Sequence, residues 1–292
     1  MAQSKVKQQQ LRIVLVGRTG SGKSTSGNTI LQRKAFKAMM WSSSVTTTCQ
    51  KETVQFEGQT LAVVDTPGLF DTRQTHEEVR RELARSISFA APGPHVILVV
   101  IQPNRFTREE QETVKLIQEM FGKQAAPYTM VLFTQGDALK EDKVSIDELI
   151  GEDTALRQFV RQCRGRHHVF DNRDKDRSQV RELLKKINSM VQKNRGTYYT
   201  NKMFQEAERA IKKETKHLLN ENESIRQDEA RRKAEENNAF IQDVLQNIAA
   251  GTIYGAEAGA AAGLAGPVGA VVGALVAAAV TVIVTKKVCI IQ

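Results

Sequence analysis

Cysteine is scarce in this chain, and that scarcity excludes two architectures. Cys49, Cys163 and Cys289 are the only three, too few and too scattered for a disulfide framework or a tetrahedral zinc site. The opening residues MAQSKVKQQQ lack the apolar run of a secretory signal, and Ala2 stands where N-myristoylation needs glycine. Synthesis is therefore expected to finish in the cytosol. Charge is missing from only one long stretch. Although 26% of the chain is charged, no ionisable residue interrupts Ala258 to Thr285.

What is present bounds the rest. A length of 292 residues suits one large domain with an appendage. The net charge of +9 fits an acidic partner, whether nucleotide, nucleic acid or an anionic membrane surface, and does not choose among them.

Residues 11–25, LRIVLVGRTGSGKST, run from an aliphatic strand through a glycine loop into a helix-compatible segment. The pattern is a complete GxxxxGK[ST]. Gly17, Gly20 and Gly22 allow the backbone of Arg18, Thr19 and Ser21 to turn its N–H groups inward, and the helix N-terminus adds positive potential. Such a nest holds phosphates. Lys23 is placed for the β and γ phosphates, Ser24 for Mg²⁺ and Thr25 for the α phosphate. A second aliphatic strand in LAVVDTPGLF (61–70) ends in Asp65 and leads into Thr66, Pro67 and Gly68, a DxxG box. Asp65 is expected to hold Mg²⁺ through water, and the Gly68 N–H to meet a γ phosphate. Between the two lies WSSSVTTTCQ (41–50), where a nucleotide switch needs a threonine over the metal. Thr46 is the choice, with Thr47 and Thr48 as neighbours; a plain polar β edge is the other reading. Trp41 reads as a packing residue.

A third aliphatic strand, YTMVLFTQGD (128–137), ends in Thr134, Gln135, Gly136 and Asp137, close to an [NT]KxD box. A carboxylate accepts from both N1–H and the 2-amino group of guanine, whereas adenine offers no such donor pair, so Asp137 points to guanine. Gln135 stands where that box has lysine, whose aliphatic stem would lie along the base. In HHVFDNRDKD (167–176), a short strand precedes Asn172, which either completes the base pocket or lies on a surface loop. The nucleotide expected is thus GTP or GDP with Mg²⁺. His95, His167 and His168 read as structural, since nothing near them has metal-ligand spacing.

These boxes and the text between them resemble the immunity-associated GTPases, also called AIG1-type or IAN GTPases, over roughly residues 8–210. PGPHVILVVIQPNRFTREEQ (92–111), HVFDNRDKDRSQVRELL and GTYYTNKMF carry the likeness beyond the nucleotide boxes. The resemblance implies a Ras-like parallel sheet flanked by helices, and relatives that dimerise across bound nucleotide. It also implies pairing through the nucleotide face, where Arg105 either reaches a neighbour's phosphates as a catalytic finger or begins the next helix as a solvated side chain. Independently, strand-like runs at 11–17, 60–65, 96–101 and 129–134 alternate with helical segments, which favours an α/β fold with a mostly parallel sheet. A terminal amphipathic helix is read in SQVRELLKKINSMV (178–191), with Val180, Leu183, Leu184, Ile187 and Val191 on one face.

The expected organisation is a polar tail at 1–10, the GTPase domain at 11–200, a charged helical extension at 201–248, a Gly/Ala-rich membrane segment at 249–285 and a basic end at 286–292. The extension, with Ile211, Leu218 and Ile225 seven apart, reads as a long exposed helix too short for a secure coiled coil. It either folds back on the domain or projects from it. The segment GLAGPVGAVVGALVAAAV (263–280) lies in a run long enough to span a bilayer as helix. Gly251, Gly255, Gly259 and Gly263 fall four apart, which permits close helix approach. The ending CIIQ, preceded by Lys286 and Lys287, reads as a prenylation signal at Cys289. A hairpin folded at Pro267 keeps Cys289 on the cytosolic side; a single span or packing against protein are the alternatives.

The expected activity is slow GTP hydrolysis, because Leu69 follows Gly68 and leaves no glutamine to orient water. The expected role is a nucleotide-dependent dimerising or oligomerising switch on the cytosolic face of an intracellular membrane, with lipid but no nucleic acid as partner. The alternative is a scaffold that holds GTP without hydrolysing it.

Overall fold

The computed structural model describes residues 10–38, 48–68, 76–103 and 106–249. Trp41, Thr46, Thr47, Leu69, Arg105, Pro267 and Cys289 lie outside these residues, as do the membrane segment from residue 250 onward and the basic end. Among the described residues no helix is long and apolar enough to cross a membrane.

Six strands form one sheet: β1 (Leu11–Val16), β2 (Gln50–Phe56), β3 (Gln59–Asp65), β4 (Val96–Ile101), β5 (Thr129–Phe133) and β6 (His167–Val169). Their order is β2-β3-β1-β4-β5-β6, and every pairing is parallel except β2 with β3. Strand β4, VILVVI, is an unbroken aliphatic run and β1, LRIVLV, is aliphatic apart from Arg12, because helices cover both faces of a parallel sheet. Alternation still sorts them. Leu11, Ile13, Leu15, Val96, Leu98 and Val100 face one core, while Val14, Val16, Ile97, Val99 and Ile101 face the other.

Strand β2 is mostly polar, QKETVQF, and nothing in its composition announces it. It forms because Glu57 and Gly58, both at positive φ, make a two-residue hairpin turn that lays it in register on β3 from Phe56↔Gln59 to Gln50↔Asp65.

Helices α1 (Lys23–Leu31) and α7 (Ser178–Lys193) cover the first face, where Ile30, Leu31, Val180, Leu183 and Ile187 are buried. The other face receives α2 (His76–Ala90), α3 (Arg108–Phe121) and α6 (Thr154–Gln162), with the short α4 (Gly136–Asp142) and α5 (Ile146–Glu152) in the connection from β5 to β6.

The charged extension departs from the single exposed helix expected of it. It builds three helices, α8 (Lys202–Glu221), α9 (Gln227–Glu236) and α10 (Ala239–Ala249). Phe204, Ala207, Ile211, Ala234, Phe240, Ile241 and Val244 join the same core as Val14 and Ile97, so no packing boundary falls at residue 200. Ile211 is fully buried, Leu218 packs at the core's edge and Ile225 lies beyond the end of α8, so the seven-residue spacing serves no coiled coil. Ala207, Ala230 and Ala234 share the buried face with these larger side chains.

Strand β1 is flanked by β3 on one side and β4 on the other. Loops leaving the carboxyl end of a strand at such a switch point diverge and open a crevice.

Candidate functional site

The loop from β1 to α1 occupies that crevice. Gly17 has φ +152°, and a Cβ there would lie 2.5 Å from the Val100 carbonyl oxygen. Gly22 has φ +96°, with Thr134 Cγ2 3.0 Å from the place a Cβ would take. The first glycine passes close to β4 and the second turns the chain left-handed into α1. Gly20 also takes positive φ. The Lys23 ammonium folds back across the loop, donating to the carbonyls of Gly17 at 3.1 Å and Arg18 at 2.8 Å. Burial lowers its pKa to about 8, and Asp65 partly opposes that shift. Gln102 ties the same loop from the end of β4, its Nε2 donating to the Gly20 carbonyl at 3.0 Å. Thr25 is half-buried on the first turn of α1, its carbonyl accepting from Thr29 Oγ1.

Asp65 ends β3 beside the loop. Its Oδ2 accepts from Ser24 Oγ at 2.6 Å, so the two expected metal-binding side chains already touch. Burial raises the Asp65 pKa to about 6 against the opposing pull of Ser24 and Lys23. Three buried oxygens here, Asp65 Oδ1, Thr19 Oγ1 and Ser21 Oγ, have no hydrogen-bond partner. Orphaned buried oxygens are costly unless a ligand completes them. A carboxylate oxygen suits the hydration shell of a hard cation, and two hydroxyls suit phosphate oxygens, so the residues present fit Mg²⁺ and a nucleotide. Thr66 Oγ1 donates to the Leu15 carbonyl at 2.7 Å and fixes the DTPG turn. Gly68 then lies against Thr19, whose backbone N and Cα would be 2.7 Å from any Cβ at that position.

The third group of loops joins the first through Thr134, whose Oγ1 donates to the Ser21 carbonyl at 3.0 Å. Gln135 takes φ +60° at the start of α4, and the Gly136 N–H bonds the Phe170 carbonyl at 3.0 Å. Asp137 follows on the first turn of α4, and its Oδ2 lies 2.8 Å from Arg173 Nη1. Asn172 is held by helix α1, accepting from Thr29 Oγ1 at 2.8 Å and donating to Ser26 Oγ at 3.1 Å. The sequence reading placed Asn172 near the base pocket without these anchors, and it missed Gln102 and Arg173 entirely. A cleft of about 640 Å³, lined by Gly136, Leu139, Lys140, Val169, Asp171 and Gln179, opens beside the same loops.

The histidines play no part in this geometry. His95 Nδ1 accepts from the Arg12 N–H at 3.0 Å, and burial, reinforced by the Arg12 charge, lowers its pKa to about 3. His168 Nε2 bonds the Gln179 carbonyl oxygen at 3.0 Å, and burial lowers its pKa to about 4. Cys49 and Cys163 are free and buried, with the Cys163 thiol pushed up to about 12 by burial.

The AIG1 family model matches residues 11–218. The chain belongs to the AIG1 family. Immune-associated nucleotide-binding protein 9 of Arabidopsis thaliana is 39% identical over 208 residues, which cover 68% of this chain and 61% of that protein. GTPase IMAP family member 8 of Homo sapiens is 35% identical over 205 residues, covering 69% of this chain and 30% of that protein. This AIG1-family chain thus spans less than two thirds of either relative. Among solved structures, Toc33 of Arabidopsis thaliana in complex with Mg²⁺ and GMPPNP superposes with a TM-score of 0.50 at 15% identity, covering 63% of this chain and 85% of that one. A dimerisation-deficient Toc33 mutant matches equally well, with a TM-score of 0.50 at 16% identity over 62% of this chain and 84% of that one. At such identity the likeness is one of fold, a Ras-like P-loop GTPase fold with a mostly parallel sheet.

Proposed function

We propose that this AIG1-family chain binds GTP and GDP with Mg²⁺ and hydrolyses GTP slowly, using nucleotide state to switch between monomer and dimer or oligomer on the cytosolic face of an intracellular membrane. One observation carries the reading. Lys23, the Ser24–Asp65 pair and Asp137 are gathered at one end of the sheet, tied together by the Thr134–Ser21 hydrogen bond. In this reading the N–H groups of residues 17–25 cradle the phosphates, and Lys23 exchanges two carbonyls for the β and γ phosphates. Ser24, Asp65 and Thr46 hold Mg²⁺, which supplies charge neutralisation across those phosphates when bound. The Gly68 N–H meets the γ phosphate, and Asp137 reads guanine with Thr134, Gln135 and Asn172 around it.

Slow turnover follows from Leu69, which has no polar group to orient water. Dimerisation is described as important for the GTPase activity of the chloroplast translocon components Toc33 and Toc159, one of whose structures superposes with a TM-score of 0.50 at 18% identity. That description supports pairing here, with Arg105 as the arginine offered in trans. The uncharged run from Ala258 to Thr285 and the CIIQ ending support membrane attachment. Leu69 equally favours the second reading, a scaffold that holds GTP without hydrolysing it.

GTP and ATP binding, measured beside single-turnover hydrolysis at several protein concentrations, tests the proposal. The expected result is GTP preference with a rate that rises with concentration and loses that rise in Arg105→Ala. Equal affinity for ATP overturns the guanine reading; tight GTP binding without turnover leaves the scaffold.

A further inference from the structure

Asp137 does not stand alone in the fold. Arg173 Nη1 sits 2.8 Å from its Oδ2, with the arginine side chain 75% exposed and the aspartate 28%. The loop of Asp137 brings no cation of its own, since Gln135 occupies the place where the [NT]KxD pattern has lysine. The arginine comes from the loop between β6 and α7, 36 positions away in sequence.

The backbone that delivers Arg173 is fixed on both sides. The preceding residue, Asn172, is bonded through both ends of its amide to Thr29 and Ser26 of α1. Asp171 Oδ1 accepts from the N–H groups of Arg173 at 3.1 Å and Asp174 at 3.2 Å, and Asp171 Oδ2 is held by Lys140 Nζ at 3.2 Å. The side chain beyond this anchored Cα is solvated, and its one ion pair is of the weak, exposed kind. Arg173 therefore has a fixed base and a guanidinium free to change partners.

We infer that Arg173 is a further nucleotide-binding residue that covers the base and sets how long the nucleotide stays, doing from the β6–α7 loop what the absent lysine does elsewhere. The inference rests on the guanine reading of Asp137. Without nucleotide, the guanidinium keeps the aspartate paired. When guanine takes both carboxylate oxygens with its N1–H and 2-amino groups, the guanidinium leaves Oδ2 and lies against the face of the base. A planar, weakly hydrated cation suits an aromatic base better than an ammonium does. The two roles act on opposite steps. Displacing the ion pair slows association slightly, and covering the base slows dissociation more.

The test follows GDP, IDP and ADP association and dissociation on the full-length chain by stopped-flow, in wild type, Arg173→Ala, Arg173→Lys and Asp137→Asn. Arg173→Ala is expected to speed GDP dissociation about ten-fold, the size of a desolvated cation–π contact, with association changed less than about three-fold. The preference for GDP over IDP, which Asp137 reads through the 2-amino group, stays. Arg173→Lys restores less than half of the lost residence time. If wild type prefers GDP over ADP, Asp137→Asn abolishes that preference and Arg173→Ala dissociates at the wild-type rate, the inference about Arg173 fails alone. If wild type shows no preference for GDP over ADP, the guanine reading fails, and with it the role of Arg173.

Discussion

At the scale of single residues, two buried histidines act on stability through the protons they refuse. His95 is held neutral by burial and by Arg12 down to about pH 3, and His168 by burial down to about pH 4. Unfolded, each takes up a proton near the ordinary histidine value of 6.5. Between those limits the unfolded chain binds more protons than the folded one, so stability rises with pH; it is fully present above 6.5 and lost as pH falls. Each group is worth about 1.4 kcal/mol per pH unit within that window. Urea denaturation at pH 7, 6 and 5 is expected to show His95→Gln and His168→Gln each with a slope shallower than wild type by about that amount. Slopes equal to wild type in both variants would mean that the rings are protonated in the fold. The sequence reading took His95 and His168 as structural from their spacing. It could not expose their partners, because the Arg12 N–H and the Gln179 carbonyl reach them only once β1, β4, β6 and α7 are assembled. The phosphate side of the site was legible for the opposite reason. Gly17 through Thr25 are contiguous, and local geometry dictates their types. Asp137 was legible as a box, whereas Arg173 and Gln102 arrive from other loops with no motif to mark them.

Among elements, strands β1, β3, β4 and β5 were readable from aliphatic runs and α7 from its apolar spacing. Strand β2 was not, since pairing with β3 and not its own composition makes it a strand. Of the two readings of the extension, folding back on the domain is the one observed, but as three helices and not one, with Phe204, Ile211, Phe240 and Ile241 beside alanines and ion pairs on the buried face. Its attachment turns on Glu235 of α9, which is 4% exposed. Glu235 Oε2 lies 2.6 Å from Lys51 Nζ on β2, and its Oε1 accepts from Arg231 at 3.0 Å, while Arg231 also reaches Glu208 of α8 at 2.8 Å. The Glu235 carbonyl accepts from Ser88 Oγ of α2 at 2.7 Å. Burial lowers the Lys51 pKa, and Glu235 opposes that shift. Removing one partner of such a pair leaves a buried charge uncompensated, whereas replacing both with apolar groups is close to neutral. Glu235→Leu and Lys51→Met are therefore each expected to destabilise the chain by about 3 kcal/mol, and the double variant carrying both to recover most of that loss. Chemical denaturation of the four chains of this cycle measures both quantities, and additive losses in the double variant would deny the coupling.

For the whole molecule, charge is unevenly spread between one region rich in ionisable residues and another, Ala258 to Thr285, that has none. The described residues bury their aliphatic strands under helices, and the ion pairs at Lys51, Glu208 and Glu235 join the extension to the sheet. From Ala258 to Thr285 the chain carries no ionisable residue, and the membrane segment proposed there would be about 42 Å long as one straight helix at 1.5 Å per residue. That exceeds a hydrocarbon core of about 30 Å, so on the membrane proposal a single span would tilt, whereas a turn at Pro267 would leave 9 residues of the run before it and 18 after it. A hairpin turning at Pro267 would return Lys286 to the cytosolic side, where its charge stays hydrated. Full-length chain mixed with phosphatidylcholine vesicles is expected to float with them on a density gradient, and a chain ending at Ala249 to stay at the bottom. An acceptor site for N-glycosylation appended after Gln292 then separates the topologies in microsomes. The folded-back arrangement leaves the site unmodified, and a single span glycosylates it. Flotation of both chains alike would place membrane affinity in the GTPase-fold portion and overturn the assignment of the uncharged segment to lipid.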